Sequence, residues 1–478
     1  MKKYNFKKFI SIGTFGVCAM FGLSSCNVDT DLNIDPKHPS EIPSANLLAM
    51  GMQQEFYYIH TGSVNFNNYR FFTQVWTETL YTQETNYNLI TRAQPRNHFQ
   101  RMYIFALYNF ELAKNTLQEE ANTDQDVYNN RWATLELSQI AVWENVVDTY
   151  GNVPYSQALQ PEDIASPAYD DARTIYADLL TRIDAAIAMI NTAKSGYTSG
   201  DLVYNGNMTK WKKFANSIKL RLAMNLADVD PTTSKQVAKD AIAGGVITSD
   251  ADSYSLVFPG GTFSNPLYDD MVASGRNDFI PAAPFVNFMN TTDDPRRSAY
   301  FTTIGGNYVG GVYGTLNTYA NFSHVNPSFH TQTAPAKLLS ATEVAFLMAE
   351  AAARDNSVGD PATLYTSAVT ASMNENGVSA GDASAFLITN PYNASNWQES
   401  IGMQSYVALW NSPFASWNFI RRLDYPVLPK PPSTTLDGVP VRMPYSDQEY
   451  LVNQANVEAA AVAIGGDDAT TKLFWDVN

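Results

Sequence analysis

Apolar side chains recur with helical spacing along most of this chain. Ile175, Leu179, Ile183 and Ile187 follow one another at four-residue intervals, and Leu180 and Ile190 widen the stripe to that of a core-packed helix. The stretch 171–190 is therefore predicted to be helical, with Asp170 or Asp171 as N-cap and Gly196 beyond its end. A second stripe, formed by Trp211, Phe214, Ala215, Ile218 and Leu222, predicts a helix over 209–227 whose Lys212, Lys213 and Lys219 point away. Ser340-Ala341-Thr342-Glu343 has the form of a capping box and precedes Val344, Leu347, Met348 and Ala351. The segments 44–60, 97–118, 129–149, 361–375, 397–410 and 447–461 read as further helices. This density predicts a mainly all-α fold built from helix pairs in the tetratricopeptide manner, although no strict sequence period repeats.

The segment 251–337 breaks the pattern. It is rich in Gly, Pro, Asn and Tyr, and so long an irregular stretch inside a compact domain is usually functional. Loops with short strands or hairpins are expected there, laid on the helical frame. Composition shows no break that would divide 44–478, so that span is expected to form a single domain.

The N-terminus has a different pattern. Lys2, Lys3, Lys7 and Lys8 precede an uncharged apolar run over 9–23, too short to span a bilayer comfortably and without a basic flank after it. It ends in Leu23-Ser24-Ser25-Cys26, a lipobox. Residues 1–25 thus read as a lipoprotein signal peptide, with cleavage before Cys26, acylation at that residue and stable membrane attachment through several acyl chains. The polar segment 26–43, with Pro36, Pro39 and Pro43, reads as a tether. Cys18 leaves with the signal, so a mature chain retaining Cys26 alone forms no internal disulfide.

Charge narrows the partners. The chain has 31 Lys+Arg against 47 Asp+Glu and a formal net charge of −16; loss of the four signal lysines deepens it to −20. Such a balance disfavours nucleic acid and anionic surfaces and leaves neutral ligands acceptable.

Catalytic patterns are few. Gly377-Val378-Ser379-Ala380-Gly381 matches the nucleophile elbow, but a helix is expected before it and a loop after it, and all five histidines lie upstream of the serine. Asp29, Asp31 and Asn33 begin like a calcium loop that fails at Ile34 and Ser40. His324 and His330 have no accompanying metal motif. No catalytic residue, cofactor or metal is therefore expected.

Aromatics are the stronger signal. Fifteen fall within 56–110 and seven within 300–329, many among Asn, Thr, Gln and Gly instead of in apolar stripes. Ring faces stack on sugars or apolar side chains while amides and hydroxyls orient the ligand. The candidate ligand contacts are Tyr69, Trp76, Tyr81, Tyr87, Tyr308, Tyr313 and Tyr319; Phe71, Phe72, Phe105 and Phe110 are read as core.

Several segments resemble the SusD/RagB family of nutrient-binding outer-membrane lipoproteins. Beyond the lipobox, Tyr150-Gly151-Asn152-Val153-Pro154-Tyr155-Ser156-Gln157-Ala158-Leu159 is similar to the family's YGDVPYSEAL, with Asn for Asp and Gln for Glu. Trp211-Lys212-Lys213-Phe214-Ala215-Asn216-Ser217 with Leu220-Arg221-Leu222, Asp294-Pro295-Arg296, Ala349-Glu350-Ala351, Ala408-Leu409-Trp410, Trp417, Arg421-Arg422 and Phe474-Trp475-Asp476 follow in family order. The resemblance implies one SusD-like domain on tetratricopeptide-like helices, anchored at the cell surface in the outer membrane. It implies a lid over a SusC-like TonB-dependent transporter barrel, capturing oligosaccharide or oligopeptide. Trp211, Asn216 and Arg221 would be structural, and the ligand surface would come from variable loops. An α-helical surface hydrolase of polysaccharide or peptide is the alternative.

Overall fold

The computed structural model describes residues 42–61, 68–354 and 356–477. The signal peptide, Cys26 and nearly all of the expected tether lie outside them, as does the Asp29 segment. Helix α1 (Ser44–Thr61) pairs with α4 (Tyr108–Glu119), and α5 (Gln125–Tyr150) with α6 (Ala172–Met189). Helix α7 (Met208–Asn225) pairs with α8 (Pro231–Gly244), α10 (Ala341–Arg354) with α11 (Pro361–Glu375), and α13 (Trp397–Ala408) with α14 (Pro413–Leu423). Pro43–Asn478 form one compact unit. Shorter α2 (Asn68–Phe72), α3 (Gln94–Gln100), α9 (Ala283–Thr291), α12 (Ala380–Thr389) and α15 (Gln454–Ala463) fill the frame. Among the described residues no helix is long and apolar enough to cross a membrane.

The predicted stripes are the buried faces. Ile175, Leu179 and Ile183 are fully buried, and Asp171 caps α6 by accepting from the Arg173 amide at 2.9 Å. Ser340 accepts from the Glu343 amide at 3.0 Å, but Glu343 does not complete the box; its carboxylate goes to Arg221. The single helix read over 97–118 is three pieces, α3, a π-helical stretch Arg101–Leu107 and α4, because the wider turn inserts an extra residue into the stripe. The helix read over 447–461 breaks at Asn453, between Glu449–Val452 and α15. Helices α8, α12 and α14 were not visible in the apolar periodicity. One follows the Gly377–Gly381 motif where a loop was expected: Ser379 is the N-cap of α12 and accepts from the Asp382 amide at 3.1 Å.

The irregular segment carries short strands and, at the antiparallel bridges Gly260–Phe263 and Ile304–Asn307, tight hairpin turns, while its longer ladders pair over greater sequence distances. The ladders β1 (Trp76–Glu78) with β5 (Phe279–Pro281), β2 (Val153–Pro154) with β3 (Tyr169–Asp170), and β4 (Tyr254–Val257) with β6 (Pro335–Leu339) are all antiparallel and two-stranded.

The family-like motifs meet in a buried polar cluster. Arg221 donates to Glu144 at 2.9 Å, to Glu343 at 2.7 and 3.0 Å and to the Leu338 carbonyl at 2.7 Å, tying α7 to α5, α10 and β6. Arg422 does the same between α14 and Glu350 on α10, at 2.8 and 2.7 Å. One turn along α5 from Glu144, Asp148 accepts from Tyr176, from Asn225 at 3.0 Å, from Asn418 at 3.1 Å and from the Trp475 indole at 3.1 Å. Burial pushes the Glu144 carboxyl up to about 8 against the pull of Arg221.

Two predictions follow from these buried groups. Arg221→Leu strands Glu144 and Glu343 without a cation and is expected to cost about 3–5 kcal/mol in a denaturant titration. Glu55 on α1 is fully buried, accepts from the Tyr254 hydroxyl at 3.0 Å, and is pushed by burial up to about 8. A carboxyl raised above its unfolded value of about 4.3 adds stability that is complete in acid and lost as pH rises through about 8. The Tm of Glu55→Gln is therefore expected to gain on the wild type as pH increases from about 5 to about 8.5, as read by calorimetry.

Candidate functional site

The segment 79–93 leaves β1 and returns to α3 as a loop projecting from the frame. Its base is fixed by two buried carboxyls. Glu78 accepts from the amide and hydroxyl of Thr85 at 3.2 and 3.0 Å, and Glu84 pairs with Arg92 at 2.9 Å. Burial, then the neighbouring Glu84, pushes Glu78 up to about 9, and burial also raises Glu84. At its tip Tyr81 has φ 57°, a left-handed conformation uncommon for a bulky residue. Its ring is 53% exposed, with the Arg276 and Arg92 guanidinium carbons 5.5 and 5.8 Å from its centroid.

A second loop is hydrogen-bonded to the first. The Asn317 amide donates to the Thr79 carbonyl at 3.0 Å, and its side chain donates to the carbonyls of Glu78 at 3.1 Å, Val312 at 3.0 Å and Thr315 at 2.8 Å. Asn86 reaches the Gly314 carbonyl at 2.8 Å. Glycine is required upstream of this loop: a Cβ on Gly311 would lie 2.3 Å from Ile280 Cδ1, and one on Gly310 would lie 2.6 Å from the backbone of Ala283. Val312 and Leu316 on this loop are exposed, as are Leu80 and Tyr81 on the first.

The candidate aromatics divide by burial. Trp76 is fully buried between Arg70 and Phe279. Tyr69 is 3% exposed, its hydroxyl 3.0 Å from His98 Nε2 and 2.9 Å from Thr149 Oγ1. Tyr87 accepts from Gln74 at 2.8 Å, and Tyr313 donates to the Phe71 carbonyl at 2.6 Å, both as core residues. These four rings are buried, and the three tyrosine hydroxyls among them are held by protein partners. Tyr81, Tyr308 and Tyr319 retain accessible surface. Tyr319 stacks on His324 at 3.9 Å, two residues after Asn317. Tyr308 sits apart, with Arg297 at 5.4 Å over its ring and its carbonyl on Asn290. Phe105, read as core, is 40% exposed on the π-helical stretch.

On its other side the 79–93 loop walls a cleft of about 690 Å³, opposite the C-terminal segments around Ser433, Tyr445 and Asp468. Amide and carboxylate groups mix there with Leu89, Leu436 and Tyr450. Arg96 on α3 spans to Asp447 through two hydrogen bonds at its edge. Sequence spacing gave no sign of Arg92, Arg276, Arg96 or Asp447, because each gains its role from a neighbour that only folding supplies. Among the described residues no group of three or more His, Cys, Asp or Glu is placed to hold a metal ion.

A helix-pair frame carrying a cleft walled by irregular loops is the architecture of a known class of binding proteins. The chain belongs to the SusD-like family, whose description reads "Starch-binding associating with outer membrane" and whose model matches residues 36–446. Solved structures of similar fold include a chitin-binding protein at 25% identity, with TM-score 0.81 over 91% of this chain and 100% of that one. A SusD homolog from Bacteroides uniformis is 26% identical, with TM-score 0.79 over 90% of this chain and 99% of that one. A chitin-binding SusD homolog from Flavobacterium johnsoniae, at 22% identity, supports the fold alone, with TM-score 0.77 over 91% and 98% of the two chains. No curated relative matches the sequence.

The interloop ties are testable. Asn317→Ala deletes the hydrogen bonds between the two loops' backbones and its side chain, and is expected to raise amide exchange at 312–321 about tenfold while leaving the α5 and α7 amides protected.

Proposed function

We propose that this protein captures a neutral oligosaccharide on the Tyr81 face and in the adjoining cleft, without turning it over, and delivers it as the lid of a SusC-like TonB-dependent transporter. On this reading the mature chain begins at Cys26, is anchored there by lipid in the outer membrane, and faces the medium through the single domain 44–478.

One observation carries the binding reading: a tyrosine ring held outward in a left-handed backbone conformation, framed by two guanidinium groups and bordered by amide-bearing loops. An exposed ring face accepts the CH face of a sugar, while arginine and asparagine donors meet its hydroxyls. The acidic balance of the chain favours an uncharged ligand over a polyanion. The family description names starch and the similar structures name chitin, which supports glycan over peptide and binding over hydrolysis.

Titration calorimetry with malto- and chito-oligosaccharides and with a peptide panel tests the reading. Tyr81→Ala, at an exposed position, is expected to lower glycan affinity about tenfold or more with Tm unchanged. Peptide binding with no glycan binding would transfer the site to oligopeptides, and release of reducing ends by the purified protein would establish the hydrolase instead.

A further inference from the structure

The cleft beside the Tyr81 loop ends at α3 and the segment 444–449, and a second cavity of about 550 Å³ begins on the same two elements. Pro95, Arg96, Tyr445 and Asp447 line the first cavity; Phe99, Gln100, Gln448 and Glu449 line the second. The Arg96–Asp447 pair therefore spans the boundary between them at the surface.

The second cavity opens over the edge of the hydrophobic core, to which Phe99 and Ala158 belong. Phe99 and Tyr103 stack at 4.4 Å with their planes 28° apart, and the Tyr103 hydroxyl is fixed on the Pro154 carbonyl at 2.6 Å. Ile104, on the π-helical stretch Arg101–Leu107, is 52% exposed. Val452, 63% exposed, also lines the cavity. Glu449 is the one charged residue of the lining, and its Oε2 already accepts from the Tyr169 hydroxyl at 2.9 Å and from Asn453 at 3.3 Å. What remains is ring and aliphatic surface rimmed by neutral amides such as Gln100 and Gln448. That suits the CH faces and hydroxyls of an uncharged sugar chain.

We propose that the two cavities are successive subsites of one track for a chain-like neutral glycan, with the cleft adjoining the Tyr81 loop, lined by Gln83, Leu89 and Tyr450, as the first subsite and the Tyr103–Val452 groove as the distal one. This rests on the reading of the Tyr81 face as a glycan site and deepens it: the ligand is a long oligomer, held at both ends across the Arg96–Asp447 boundary.

The test is calorimetry on the full mature chain with malto- and chito-oligosaccharides from disaccharide to heptasaccharide. The wild type is expected to bind the heptasaccharide about tenfold more tightly than the disaccharide. Ile104→Asp and Val452→Asp, both at exposed positions, are expected to erase that advantage and leave the disaccharide Kd unchanged, whereas Tyr81→Ala weakens both lengths. A wild type without length dependence, or distal variants that keep it, overturns the track and leaves the Tyr81 site standing. Equal weakening of both lengths by the distal variants overturns it as well. Failure of every oligomer to bind defeats the glycan reading, and the track falls with it.

Discussion

The fold depends on charged groups that have no water to solvate them. Glu144, Glu343 and Glu350 are buried carboxyls on two helices, and burying them is costly unless cations reach them with good geometry. Arg221 and Arg422 supply those cations from α7 and α14. Apolar stripes bring the helix pairs together, but many slightly rotated packings would bury similar area. The guanidinium forks are satisfied only in the register where both carboxyls are in reach, which makes the ion cluster a fixing element for the frame. Asp148 extends the constraint to the C-terminus, since the Trp475 indole donates to it across most of the chain's length.

Around this interior the loops are held by a separate and weaker set of interactions. Asn317, Asn86 and Thr79 join loop to loop through amide and carbonyl groups, and the ladder β1–β5 is three residues long. The paired acids Glu78 and Glu84 hold the base of the projecting loop, with Arg92 drawn in between the carboxyl and the Tyr81 ring. The exposed ring is thus a product of local strain and local charge placed on a frame that is rigid for other reasons.

Much of the frame was legible because its signals are periodic or local. The 171–190 stripe, the Asp171 cap and the Ser340 half of the capping box each follow from a few residues of spacing. The π-helical stretch after α3 was not legible, because one additional residue in a turn changes the face each side chain occupies without changing composition. Helix α8 buries only Ser234, Ala238 and Ala241, which are too small to make an apolar stripe, and α14 buries Ser416, Asn418, Arg421 and Arg422 among its apolar residues. Tyr81 was singled out by its company of polar neighbours, yet the same company surrounds Tyr69, Tyr87 and Tyr313, whose hydroxyls are tied to buried partners. Sequence context alone gives the two situations the same appearance. The arginines framing Tyr81 come from positions far apart in the chain and leave no spacing to read.

The Gly310–Gly311 approach to β5 and α9 has a consequence for how such a protein can change over generations. It fixes where the second loop departs; Tyr313 and Asn317 then pin that loop to the frame, and the demand on side chains falls away only at exposed positions such as Val312 and Leu316. Those exposed positions lie away from the ionic interior, so one inherited chassis can be given a different outer surface by exchanging a few loop-tip side chains alone.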